Sequence, residues 1–254
     1  MDTKKLSAID LKMVAHRGLS GLERENSMAA FIAANNRSYF GTECDIHLTK
    51  DNHFVICHDA NTARVANQGL EIKESTLEEI KALRLKDLKD NEPKDYLLIP
   101  TLTEYLSCAK HYNKYCVIEI KCELDSSGVD KLLAEVSEYK EHVIFISFIL
   151  NNLKLVREKD KEVKMQWLLS SYNDEVIPTC KEYNLDVDIH FKALTIDNTQ
   201  AMINENIEIN AWTVDNQLDA LTLVKWGVKY ITTNILESFY GLVWRLIWRS
   251  ALRW

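Results

Sequence analysis

The sequence predicts an α/β fold, a (β/α)8 TIM barrel with a small insertion after the second strand. Short β-branched and apolar runs alternate with helix-like stretches, there are eight such runs, and 254 residues is about the length that eight strand-helix units require. The runner-up architecture is an open, doubly wound parallel sheet.

Strands are expected near Met13 to Ala15, Gly41 to Ile46, Cys116 to Ile120, Val143 to Phe148, Val163 to Leu169, Asp186 to Ile189, Glu208 to Thr213 and Val228 to Thr232. Helices lie between them. One spans Ser27 to Asn36, capped by Asn26 or Ser27, and another spans Gly128 to Tyr139 with Leu132, Leu133 and Val136 at helical spacing. The interval of about 48–115 is too long for one crossover helix and reads as the insertion. It opens with a hairpin, Ile46 to Leu48 against His53 to Cys57, turning at Asp51 and Asn52. It continues with a charged helical run from Ser75 to Leu88, in which Ser75 and Glu78 form a candidate capping box. With seven glycines, three prolines, no Gly/Ser-rich linker and no repeat, residues 1–254 read as a single domain.

Composition narrows the function. The apolar fraction of 46% supports a full core, and a net charge of −7 argues against a nucleic-acid surface. Six cysteines without a CxxC pair fit reduced thiols and a cytoplasmic protein, and the N-terminus has no secretory apolar run.

Barrel enzymes place chemistry where strands end, so reactive side chains are expected at strand ends. Directly after the first strand stands Ala15-His16-Arg17-Gly18. A histidine that titrates near neutrality beside an arginine with a fixed fork of donors could combine proton transfer with anion binding. In Glu43-Cys44-Asp45, period-2 alternation puts both carboxylates on one face of the strand and the thiol on the other. Two like charges side by side on an inward face call for a cation, and hard oxygen donors suit Mg²⁺ or Ca²⁺. Glu119 could complete that set, and Lys121, at period 2 from it, could lie on a bound phosphate. A second histidine, His58, ends the run Val55-Ile56-Cys57. The two imidazoles suit a general acid and a general base, or alternatively transition-metal ligands with the carboxylates. Cys44 and Cys57 neighbour these positions, but alternation turns them away and neither has a helper as a nucleophile. Each feature has an ordinary reading as well: a satisfied strand-end histidine, or acids in surface ion pairs.

The ordered series AHRG, ENSMAAF, GTECDIHLTKD, FVICHD, IPTLTEYL, IEIK, SF at 147 and 148, and NAWTVDN followed by GVKYITTN resembles the glycerophosphodiester phosphodiesterase family from His16 to about Asn234. The resemblance implies hydrolysis of a small glycerophosphodiester to glycerol 3-phosphate and an alcohol with one divalent cation. It places acid and base on His16 and His58, metal ligands on Glu43, Asp45 and Glu119, and phosphate-binding groups on Arg17 and Lys121. Substrate-side aromatics fall on Trp212 and Phe148. Three departures stand out: ENS for the usual ENT, Asn52 for a turn glycine, and ITTN for ITTD at the last strand. AHRG and Glu-x-Asp alone would also serve a phospholipase D-like relative acting on lysophospholipids or sphingomyelin, and a catalytically silent, membrane-associated barrel is the non-enzymatic alternative.

Residues 241–254 carry Arg245, Arg249 and Arg253 on one helical face and Val243, Trp244, Ile247, Trp248, Ala251 and Trp254 on the other. The preferred reading is the barrel's last helix. The other is a peripheral membrane contact, attractive because the implied substrates derive from phospholipids.

Overall fold

The computed structural model describes residues 2–6 and 11–238. The amphipathic segment 241–254 therefore lies outside the described residues. In chain order the elements are β1 (Lys4–Leu6), β2 (Lys12–Ala15), α1 (Met28–Asn35), β3 (Gly41–Leu48), β4 (Phe54–Ile56), α2 (Leu77–Ala82), α3 (Leu102–Tyr112), β5 (Tyr115–Ile120), α4 (Ser126–Val136), β6 (Val143–Ser147), α5 (Leu150–Lys159), β7 (Lys164–Leu169), α6 (Val176–Tyr183), β8 (Asp186–His190), α7 (Ile196–Asn204), β9 (Ile209–Trp212), α8 (Gln217–Trp226), β10 (Tyr230–Thr233) and β11 (Leu236–Ser238). Eight strands, β2, β3 and β5 to β10, run parallel and close on themselves, because β2 pairs with both β3 and β10. This is the expected (β/α)8 barrel. β1 and β11 form a separate parallel ribbon. Among the described residues no helix is long and apolar enough to cross a membrane.

The side chains explain the closure. Val14, Val117, Ile144, Ile146, Leu168 and Tyr230 fill the barrel interior, while Cys44, Ile46, Cys116, Ile118, Phe145 and Val187 face outward beneath the helices. Gly41 permits the close approach of β3 to β5, since a Cβ there would lie 2.3 Å from the Tyr115 carbonyl oxygen. α1 begins at Ser27, whose Oγ accepts from the Ala30 N–H. Its Phe31 meets Tyr105 of α3 edge-on, with ring centroids 4.7 Å apart. α3, within the interval expected to be inserted, thus packs as the barrel's own crossover helix.

The hairpin forms as read: β4 pairs antiparallel with β3, and Asn52 takes the left-handed conformation at the turn. The helix expected from Ser75 to Leu88 is much shorter. Its capping box is Thr76 with Glu79, one residue later than Ser75 with Glu78, and α2 stops after six residues. Beyond Ala82 the chain alternates, Leu83 and Leu85 being buried and Arg84 and Lys86 turned outward, and the Leu85 N–H donates to the Leu97 carbonyl. Those leucines join Val55, Cys57, Val65, Ile72, Ile80 and Ile99 in a second apolar cluster distinct from the barrel's. The helix expected from Gly128 to Tyr139 starts at Ser126, because Asp125 caps it, and ends at Val136 in a 3-10 turn. β6 ends at Ser147, one residue before the expected Phe148.

Candidate active site

The ends of β2, β3, β5, β6, β8, β9 and β10, with the loop after β4, converge on a cavity of about 130 Å³. His16, Arg17, Glu43, His58, Glu119, Lys121, Phe148 and Trp212 line it. Asp45 stands behind this lining, 1% exposed.

Register brings the carboxylates together. Asp45 of β3 and Glu119 of β5 are direct neighbours across the parallel pair, and Glu43 lies two residues earlier on the same face. Ligand oxygens of all three lie within 4.8 Å of one another. Burial, reinforced by Asp45, pushes the Glu119 carboxyl up to about 8, and burial with both neighbours raises Glu43 well above the carboxylate range. Asp45 goes the other way. Burial opposes its ionisation, yet Arg17 and Lys121 outweigh it and hold Asp45 at about 2. Its Oδ2 also accepts from Asn26 Nδ2 at 2.7 Å, and Lys121 Nζ lies 3.0 Å from Glu119. Glu43 Oε1 and Asp45 Oδ1 are buried without hydrogen-bond partners. Orphaned hard oxygens in an electrostatically strained trio fit a divalent cation such as Mg²⁺ or Ca²⁺. Among the described residues neither histidine joins this cluster, which disfavours a transition-metal set.

The loop after β2 is unusual in its backbone. Arg17 and Gly18 both have positive φ, 54° and 75°. A non-glycine residue there costs roughly 1–2 kcal/mol, and the turn aims the Arg17 N–H at Glu43 Oε2, 2.7 Å away. Gly18 is required, since a Cβ would meet Ala30 at 2.7 Å. The Arg17 guanidinium lies 3.4 Å from Asp45 and bonds Glu25 at 2.9 Å. Glu25 in turn binds Arg64, and Arg64 binds Asp59, so a chain of ion pairs ties this loop to the insertion that carries His58.

The two histidines have different partners. His16 Nδ1 meets Asn234 Oδ1 at 2.8 Å, and His58 Nδ1 meets Asp59 Oδ1 at 2.7 Å. Burial, helped by the neighbouring Arg17, lowers His16 to about 4, so its ring is neutral at physiological pH. Trp212 and Phe148 pack edge to face at 5.8 Å on the opposite wall, and the buried Trp212 Nε1 has no hydrogen-bond partner. Cys44 and Cys57 line neither this wall nor the carboxylates, and burial drives the Cys57 thiol up to about 12.

All nine residues singled out in the sequence as candidate site residues meet at this end of the barrel. Several that complete the arrangement carried no separate signal: Glu25, Arg64 and Asp59 in the ion-pair chain, Asp215 behind Asn234, and Asp188. Asp188 sits in the cavity floor at 1% exposure, its Oδ1 unpartnered, and burial beside Glu119 keeps its carboxyl well above the usual range. Period-2 alternation from Asp186 could have placed it inward.

The sequence profile of the Glycerophosphoryl diester phosphodiesterase family matches residues 16–238. A glycerophosphodiester phosphodiesterase of Caldanaerobacter subterraneus is 31% identical over 91% of this chain and 97% of its own length. One of Bacillus subtilis is 28% identical over 92% of this chain and 87% of its own. Among solved structures, an Oleispira antarctica phosphodiesterase in complex with the product sn-glycerol-3-phosphate superposes with a TM-score of 0.80 at 21% identity, covering 88% of this chain and 92% of that one.

Proposed function

Because the chain belongs to the glycerophosphoryl diester phosphodiesterase family, we propose that it hydrolyses glycerophosphodiesters to sn-glycerol 3-phosphate and an alcohol by acid-base catalysis between His16 and His58. The barrel and its insertion work as one catalytic domain. The observation that carries this reading is the convergence of two imidazoles, three carboxylates and two cationic side chains on one cavity. Glu43, Asp45 and Glu119 would hold one divalent cation, Mg²⁺ or Ca²⁺. When bound, that ion supplies positive charge opposite the phosphoryl oxygens.

Arg17 and Lys121 bind the remaining phosphate charge, and Trp212 with Phe148 covers the glycerol side and keeps water from it. His16 is the base: its Nδ1 is engaged with Asn234, its ring is neutral, and its Nε2 is free to take a proton from the glycerol hydroxyl beside the phosphate. That hydroxyl oxygen attacks phosphorus. His58, whose Nδ1 is held by the Asp59 carboxylate, gives its Nε2 proton to the leaving alkoxide. Water then opens the cyclic phosphate with the proton roles exchanged. A carboxylate supports the charged imidazolium better than an amide does, which favours this division of labour.

The test is release of glycerol 3-phosphate from glycerophosphocholine and glycerophosphoethanolamine, with EDTA and then with Mg²⁺ or Ca²⁺ restored. Release that depends on the ion supports the reading. No release with either ion would overturn it and make lysophospholipids the next substrates to try.

A further inference from the structure

In a second hollow beside the cavity, which His16 and Arg17 also line, Asn234 and Asp215 form a run of hydrogen bonds whose directions are dictated by chemistry. Asp215, in the loop after β9, accepts at Oδ1 from the Thr233 hydroxyl at 2.9 Å and from the Asn234 backbone N–H at 2.8 Å. Its Oδ2 meets Asn234 Nδ2 at 2.6 Å. A carboxylate has no proton to give, so the Asn234 amide must turn its nitrogen toward Asp215. Its oxygen then faces His16, 2.8 Å from Nδ1, and also lies 2.8 Å from the Ser20 hydroxyl. An amide oxygen only accepts, so the hydrogen of the neutral ring must sit on Nδ1 and the lone pair on Nε2.

We propose that Asp215 is a positioning residue that selects the His16 tautomer through Asn234, so that the basic nitrogen is the one facing the cavity. This rests on the reading of His16 as the base. Asp215 itself does not line the cavity with Trp212 and His16. Its effect on His16 passes through the orientation of the Asn234 amide.

The decisive variant is Asp215→Asn. The backbone N–H of Asn234 cannot turn away, so the new side chain must keep its oxygen there and place its nitrogen opposite Asn234 Nδ2. Two donors then meet, the Asn234 amide flips, and His16 receives an N–H at Nδ1. The ring answers by moving its hydrogen to Nε2. The expected result is a fall in kcat of about 10²- to 10⁴-fold with KM within a few fold. The double variant Asp215→Asn/Asn234→Asp restores the pattern, because the amide introduced at position 215 then donates to a carboxylate that accepts from His16 Nδ1. Its kcat should return to within about tenfold of the unsubstituted protein.

Nitrogen-15 NMR of the His16 ring, without substrate, reads the tautomer apart from turnover: Nδ1–H in the parent protein and the double variant, Nε2–H in Asp215→Asn. An Nε2–H ring in the parent would overturn the proposal. So would an Asp215→Asn protein that keeps its kcat, or a double variant no better than the single one. If Asp215→Asn does not fold, the parent's tautomer and the rescue in the double variant still decide. Absence of phosphodiester hydrolysis in the parent would count against the proposed function, while the ring's tautomer would stand or fall by the spectrum.

Discussion

His16 and His58 reach one cavity from differently built supports. His16 follows a barrel strand, its main-chain N–H bonded to Thr233 of the neighbouring strand, and its half-buried ring is backed by a neutral amide. His58 follows a short hairpin strand, is partly open, and is backed by a carboxylate that Arg64 of the insertion holds in turn. In the proposed mechanism the amide-backed ring takes up a proton and then returns it. The carboxylate-backed ring would give a proton and then take one back. On the proposed reading, two residues of the same type have opposite duties set by what stands behind Nδ1.

The largest effects should come from removing either ring. His16→Ala and His58→Ala should each lower kcat by about 10²- to 10⁴-fold. A glycerophosphodiester whose leaving group is p-nitrophenol needs no proton on departure, so His58→Ala should regain p-nitrophenol release and accumulate the cyclic phosphate, whose opening still needs His58, while His16→Ala stays inactive. Restoration of the opposite variant would reverse the assignment.

The next test separates the support of the carboxylate trio from that of His58. Asn26→Ala removes the amide that holds Asp45 and should weaken divalent-ion affinity by about 10- to 100-fold, read by calorimetry. Asp59→Asn should cost about 10- to 100-fold in kcat, the worth of a charged hydrogen bond, and leave ion affinity unchanged. Equal effects of both on ion binding would erase the distinction.

A pH series sharpens it further. Glu119 retains its proton below about 8, and the ion must displace it, so apparent affinity should rise by up to about tenfold per pH unit from pH 6 toward 8. Above that value this contribution flattens. An affinity independent of pH across the range would contradict the geometry of the trio. The smallest effect is expected at the rim, where Phe148, 45% exposed, should on truncation to Ala raise KM a few fold and leave kcat nearly unchanged.

Much of this was legible from the residues alone. The eight barrel strands carry apolar and β-branched runs that are buried on both faces, a pattern that survives without knowing the partners, and Glu43 with Asp45 declared a shared face by spacing. The charged run after Ser75 was misread because a strong capping box and helix-forming residues dominate its start. The burial of Leu83 and Leu85 that ends the helix depends on Leu97, twelve residues further on. Asp188 and Asp215 looked like any other acids. Their significance comes from register between distant strands and from the direction of a hydrogen bond, neither of which local spacing encodes. The proposed division between base and acid likewise rests on Asn234 and Asp59 beside the two rings, which local spacing does not encode.

The second apolar cluster, formed by Val55, Cys57, Val65, Ile72, Ile80, Leu83, Leu85 and Ile99 beneath the insertion, has a consequence for how the enzyme fails. His58 is anchored to that cluster, and the three carboxylates are anchored to the barrel. A region with its own small core opens at a lower free energy than the closed sheet beside it. On gentle heating, His58 would leave while Glu43, Asp45 and Glu119 stayed assembled, and turnover would vanish from a molecule whose barrel is still folded.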